Sequence, residues 1–355
     1  MNASNRKRRA RKTWGIVIGV PAALVVALAV IIAVPSPTAA SRAGNADGLH
    51  ITNVSYDPTR DLYQAYNESF KEHYREKTGQ EVEITQSHGG SGSQARSVLE
   101  GAQADVVTLA LEHDISILED ALMLDPGWLG EFPNDSAPYT STIVFLVRKG
   151  NPKGLNDWDD LLGEGVGVIT PDPKSSGGAC WNFLAAWEYA RQNLGDDEEK
   201  IKQFMHDLYA NVAVMDSGAR GATTTFVENG QGDVLIAWEN EAIQSVKSYP
   251  DEFEIVTPSV SILAQPTVAV VDENARKDHA VELATEYLDY LYSDEAQRIE
   301  AENGYRPSNQ DILAQYGDVF DLNVDLCSIA DFGGWDAAYD KFFKEGALFD
   351  QIYQG

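Results

Sequence analysis

Along this chain short apolar runs alternate with longer stretches in which apolar residues recur every three or four positions. The first pattern is that of buried strands, the second that of amphipathic helices. "LHITNVSYD" reads as a strand, and "PTRDLYQAYNESFKEHYREKTG" as a helix with Leu62, Tyr66 and Phe70 on one face and Gly79 as its stop. "EVEITQSH" is a second strand, and "GSQARSVLEGAQ" carries a second helix from Gln94 to Leu99. Further strands are expected at "ADVVTLAL", "STIVFLVRKG", "VGVIT", "AVMD", "DVLIAWE", "FEIVTP" and "PTVAVVD". Between and after them, helices are expected at "CWNFLAAWEYARQNLG", "DEEKIKQFMHDLYANV" and "HAVELATEYLDYLYSDEAQRIEAEN". Strands alternating with helices predict an α/β fold with mostly parallel sheets. No repeat, low-complexity tract or linker interrupts the chain after residue 50. Either one large sheet or two lobes joined by crossing strands must therefore accommodate it.

Residues 1–43 break the pattern. "RKRRARK", Arg6 to Lys12, precedes an apolar run from Trp14 to Val34. A basic start and an apolar run mark an exported chain. Residues 14–34 are about long enough to span a bilayer, at roughly 20 residues for a helix. The segment is either a cleaved signal or a retained membrane anchor, and its length favours the anchor. Ala40 and Ala43 offer cleavage sites, and the absence of cysteine before Cys180 excludes a lipid-modified cysteine near the signal.

Of the 355 residues, 43% are hydrophobic and 23% charged, enough for two lobes. With the seven bases of residues 1–43 set aside, 20 bases stand against 55 acids, a net charge of −35. Such a domain does not bind nucleic acid or an anionic membrane through its general field. The histidines show no metal-ligand spacing, and two lone cysteines make no zinc site, so neither metal nor cofactor is expected. Cys180 and Cys327 are either paired or free.

One kind of segment recurs: small residues between a strand and a helix. "ITPDPKSSGGA" sets Ser176, Gly177 and Gly178 before a helix, "QSHGGSGSQA" sets Ser91, and "DSGARGA" sets Ala219 and Arg220. "SYDPTRD" puts Asp57 at a helix start, and "LIAWENEA" ends a strand at Trp238. Each alone reads as an ordinary turn or cap. Together they suggest convergence on one anion, because open α/β sheets bind ligands at strand ends. A helix N-terminus carries about half a positive charge and up to four unpaired N–H donors, and glycine lets the backbone come close. Serine hydroxyls add donors, and the Trp238 indole can only donate.

Protons select among anions. Sulfate carries none at neutral pH and calls for donors alone, whereas phosphate keeps one and calls for a carboxylate acceptor. These residues are donors throughout, with Asp57 read as an N-cap. That favours sulfate or a related dianion such as thiosulfate, molybdate or tungstate. Export, acidity and two crossed lobes add the analogy of a solute-binding receptor.

These stretches, with "NVSYDPTRDLY", "ADVVTLALEHDI", "DSAPYTSTIVFLVRKGNPK", "TTTFVENGQGDVLIAWENEA" and "YRP", closely resemble the bacterial sulfate-binding proteins, receptors of sulfate/thiosulfate ABC importers. The resemblance runs from about His50 to the C-terminus. It implies a two-lobed periplasmic binding protein fold of type II, each lobe a mixed sheet flanked by helices, with the ligand cleft between. It implies that Ser91, Ser176, Gly177 and Gly178 donate to sulfate, Ser176 from backbone and hydroxyl. Ala219 would donate its N–H and Trp238 its indole, with Asp57 and Arg220 steadying the cradle from behind. Cys180 departs from the family, where arginine follows the "SSGGA" motif.

On this reading residues 44–139 and 262–355 form lobe 1 and residues 140–261 lobe 2, with crossings near "PYTSTIVFLV" and "SILAQPTVAV". The placement of the chain after Gly333 is left open. The partners implied are sulfate or thiosulfate and an ABC permease, for a monomeric, extracytoplasmic protein without catalysis. A serine hydrolase built on Ser176 is the competing class, but the chain lacks a G-x-S-x-G elbow and an S-x-x-K motif.

Overall fold

The computed structural model describes residues 49–353, so the expected signal or anchor in residues 1–43 lies outside the described residues. Two separate mixed sheets organise the chain. The first is built of β1 (Leu49–Tyr56), β2 (Val82–Gly89), β3 (Val106–Leu109) and, far later in sequence, β11 (Thr267–Val270). Their order is β11-β3-β1-β2, with β11 antiparallel to β3 and the other pairs parallel. β1 is buried from Ile51 to Tyr56 because it is one of the two inner strands of this sheet.

The second sheet holds β5 (Ile143–Arg148), β6 (Val168–Pro171), β7 (Val212–Asp216), β8 (Val234–Trp238) and β9 (Phe253–Val256), in the order β7-β6-β8-β5-β9. β5 runs antiparallel to its neighbours β8 and β9, and the rest are parallel.

Helices cover both sheets: α1 (Arg60–Thr78), α2 (Ser91–Leu99), α3 (Glu112–Asp120), α4 (Gly177–Leu194), α5 (Glu198–Ala210), α6 (Ala219–Val227) and α7 (Glu239–Ser248). α1 follows its pattern, burying Leu62, Tyr66 and Phe70 and stopping at Gly79, whose left-handed φ of 74° only glycine adopts cheaply. α2 begins at Ser91, three residues earlier than the pattern predicts, so that serine is inside the helix. The expected helix over 279–303 is broken at Ser293, which caps Asp294–Glu302 by accepting from the Ala296 N–H.

The chain crosses between the sheets at β4 (Tyr139–Thr140) and again between β10 (Val260–Ile262) and β11. Both crossings fall in the stretches the sequence singled out. A third crossing was not foreseen. β12 (Arg306–Pro307) pairs with β4, and β13 (Asp325–Cys327) pairs with β10.

Beyond β13 the tail does not return to the first sheet. Trp335, Phe342, Phe343 and Phe349 share one core with Trp181, Phe183 and Trp187 of α4. The Trp335 ring meets Trp181 edge-on, with centroids 4.6 Å apart. This corrects the expectation that residues 262–355 all join the first lobe. The physical reason is α4 itself: it is buried on every side from Gly177 to Ala190, and the sheet can cover only one of those sides. The tail also touches the other lobe, where Tyr339 stacks on His113 of α3 at 3.8 Å and Asp336 lies 3.9 Å from the same ring.

Candidate anion-binding site

The strands of both sheets end where helices begin, and these junctions meet. A small cavity of about 10 Å³ is lined by Tyr56, Asp57, Pro58, Gly90, Ser91, Ser176, Gly178 and Ala219. Tyr56 ends β1, Gly90 and Ser91 open α2, Ser176 and Gly178 open α4, and Ala219 opens α6. Residues from both sheets therefore enclose one space. Three regular helices point their N-termini at it, each with N–H groups that no residue of its own helix can accept. No lysine or arginine lines it; the charged lining residue is Asp57.

Glycine is required where the two halves touch. A Cβ on Gly90 would lie 2.6 Å from the Ser175 carbonyl, and one on Gly177 would lie 2.9 Å from the Leu111 side chain. The Trp181 indole donates across the same seam to the Ala110 carbonyl at 2.9 Å.

Ser176 occupies the N-cap of α4, yet its side chain makes no capping bond. Among the described residues nothing bonds its hydroxyl, which is free for a ligand. Its backbone N–H is not free, because it donates to the Asp172 carbonyl at 2.8 Å. The expectation that Ser176 donates from its backbone is corrected: the "PDPK" turn before it uses that N–H to close.

Ser91 is also engaged. Its hydroxyl donates to Oδ2 of Asp114 at 2.5 Å and accepts from the Ala110 N–H at 3.0 Å. Its backbone N–H, at the first position of α2, is the donor left for the cavity. Burial pushes the Asp114 carboxyl up to about 6, while the Ser91 hydroxyl and Arg96 pull it down.

Gly178 and Ala219 line the cavity. Gly177 is not among the lining residues and instead packs on Ala110, Leu111 and Ser91. Trp238 is likewise displaced from the expected role. Its indole donates to the Gly178 carbonyl at 3.2 Å, and its ring lies 5.4 Å from that of Tyr56. Together with Ala219, Asn182 and Glu241 it lines a second small cavity behind the first.

Asp57 is not a cap, since the turn it opens has no side-chain capping bond. Its carboxylate faces the cavity and abuts Gly218, where no Cβ would fit. Burial raises its pKa, opposed by Arg60 and Arg220. Arg220 pairs with the buried Glu241 at 3.4 Å. His88 reaches the Tyr56 carbonyl at 3.4 Å, and burial lowers it to about 4, so it is neutral at physiological pH.

Sequence reasoning missed Tyr56, Pro58 and Gly90 as lining residues and Asp114 as the partner of Ser91. The first three flank residues already singled out, and their signal was adjacency. Among the described residues, no group of acids, histidines and cysteines clusters as a metal site.

A family profile of bacterial extracellular solute-binding proteins matches residues 51–306. The sulfate-binding protein of Escherichia coli (strain K12) is 54% identical over 308 residues, covering 86% of this chain and 94% of that one. The thiosulfate-binding protein of Pseudomonas aeruginosa is 47% identical over 306 residues, covering 85% and 92%. Among solved structures, the sulfate-binding protein SubI from Mycobacterium tuberculosis H37Rv superposes with a TM-score of 0.76 at 33% identity, covering 83% of this chain and all of that one.

Proposed function

Because the chain belongs to the bacterial extracellular solute-binding proteins, and to the sulfate-binding proteins among them, we propose that it captures sulfate between its two lobes and hands it to an ABC importer. The observation that carries this reading is the convergence of three helix N-termini, from both sheets, on one cavity whose lining has no cation. Dipoles and N–H groups would hold the dianion, and they act strongly because the site is small and shielded from water. The hydroxyl of Ser176 and the N–H groups of Ser91, Gly178 and Ala219 are the donors we assign, with Gly177 holding the seam and Trp238 fixing the Gly178 carbonyl.

The first lobe we assign runs to Tyr139 and takes back the chain from Thr267 to Gly304, with residues 305–307 as a crossing segment between the lobes. The second holds Ile143 to Ile262 and the tail from Asp325. The relatives are named for binding, which supports capture without turnover. Thiosulfate is a second ligand of the same chemistry, as the name of the Pseudomonas relative suggests. The basic, apolar start of the chain supports tethering at the outer face of the cytoplasmic membrane, where a lobe pair would otherwise diffuse away.

One feature favours a second reading. Asp57 puts a carboxylate in the lining, and a protonated oxyanion such as phosphate would need that acceptor. Calorimetric titration of the purified chain with sulfate, thiosulfate and phosphate at neutral pH tests both. Tight sulfate binding without phosphate binding supports the donor cradle. Phosphate binding would give Asp57 the role of acceptor, and no binding of any of the three would remove the proposal.

A further inference from the structure

The sequence stretch Tyr305–Arg306 and the stretch Glu239–Asn240 meet residue against residue. Arg306, 4% exposed, holds Glu239 with two parallel bonds, Nε to Oε2 at 2.6 Å and an Nη2 to Oε1 at 2.8 Å. Asn240, 1% exposed, donates from Nδ2 to the Tyr305 hydroxyl at 3.0 Å and to the Pro58 carbonyl at 3.4 Å. Gly304, with a left-handed φ of 82°, brings its backbone so close that a Cβ there would sit 3.0 Å from the Asn240 Cα.

The placement of these contacts matters more than their number. Arg306 is on β12, one of the crossing segments, whereas Glu239 and Asn240 open α7 directly after Trp238. Pro58 belongs to the other lobe and lines the anion cavity. An amide NH₂ has two hydrogens, and Asn240 gives one to the crossing segment and one to the far wall of the cavity. Opening the lobes must break the bond to Pro58, while the bonds to Tyr305 and Arg306 stay with the crossing segment.

Resting on the sulfate reading, we infer that Asn240, aimed by Tyr305 and by the Arg306–Glu239 pair, is a positioning residue that sets how long the closed lobes retain the anion. It contacts no ligand. It holds the closing wall from the side of the crossing segment, so its loss speeds release and leaves capture, which begins from open lobes, nearly as it was.

The test follows the uptake and release of sulfate by intrinsic tryptophan fluorescence in the full-length chain and in Asn240→Ala and Tyr305→Phe. In Asn240→Ala we expect release faster by about five- to tenfold, the effect of losing the one of its two bonds that opening breaks, with uptake changed less than about twofold. Tyr305→Phe removes one hydroxyl and preserves the fold if the alanine variant does not. It should speed release in the same direction, and the double variant should release no faster than Asn240→Ala. An unchanged release rate in Tyr305→Phe, or an affinity loss carried by slower uptake, overturns the inference. Wild-type chain that binds no sulfate removes the underlying reading instead, before any variant is compared.

Discussion

The indole N–H of Trp238 donates to the carbonyl of Gly178 at 3.2 Å, and its nitrogen lies 2.8 Å from where a Cβ on Gly178 would be. These two residues, from different strand ends, therefore fix each other. Gly178→Ala should force the indole aside and cost about 1–3 kcal/mol of stability, as overpacked cores do. Because Gly178 also lines the cavity, sulfate affinity should fall at least about tenfold, which is roughly 1.4 kcal/mol. Calorimetry on the variant reads both. Unchanged binding would place the anion elsewhere.

Ser176→Ala separates binding from folding. The hydroxyl has no partner among the described residues, so its removal should leave urea unfolding nearly unchanged. Against a dianion it would donate a charge-assisted bond, and its loss should cost about 1.5–3 kcal/mol of binding. Equal affinity in variant and wild type would remove Ser176 from the cradle.

Trp181→Phe keeps the ring in its aromatic contact with Trp335 and deletes the bond to the Ala110 carbonyl. That bond joins the two lobes, so only the closed form loses it. We expect an affinity loss of about 1 kcal/mol. Small-angle scattering with saturating sulfate should still report closed lobes, and a variant as tight as wild type would show that the bond does not favour closure.

Asp114 links stability to pH. Its carboxyl stands at about 6 in the fold against an ordinary 3.8. The folded chain thus binds that proton more tightly than the unfolded one, so the cost of ionisation is absent below about pH 3.8 and complete above about pH 6. Stability falls as pH rises through this window, by up to about 3 kcal/mol. Asp114→Asn keeps an acceptor for Ser91 and has no such step. Urea unfolding at pH 4 and pH 7.5 should show the variant gaining on wild type at the higher pH; an equal difference at both would refute it.

Cys180 and Cys327 are both buried and free. The Cys180 thiol donates to the Pro173 carbonyl at 3.4 Å, and burial raises both thiols above their ordinary range. Protein unfolded without reductant should titrate with two thiols per chain. A count of zero would mean a disulfide.

The helix heads were legible because their signal is local: a Gly/Ser run directly after an apolar strand and before a helical pattern. What each donor does once the chain is folded was not. Ser91 gives its hydroxyl to a residue 23 positions away, and Trp238 gives its indole to one 60 positions away. Neither choice leaves a mark in the neighbouring sequence. The separate strands and helices followed from periodicity, whereas the two lobes and two of the crossings came with the resemblance to the sulfate-binding proteins, since periodicity and the absence of a linker left one large sheet open. The third crossing escaped because β12 and β13 are two and three residues long, too short to show a period. Asp57 misled for a related reason, since an acid at a helix start satisfies the capping pattern whether or not it caps.

The aromatic residues that complete the cover of α4 come from Trp335 to Ile352, far along the chain from the helix they cover. Until they arrive, a helix apolar on every side has one flank without a cover, and the second core cannot close. Completion of this core therefore waits on a segment distant in sequence rather than on the lobe's own strands.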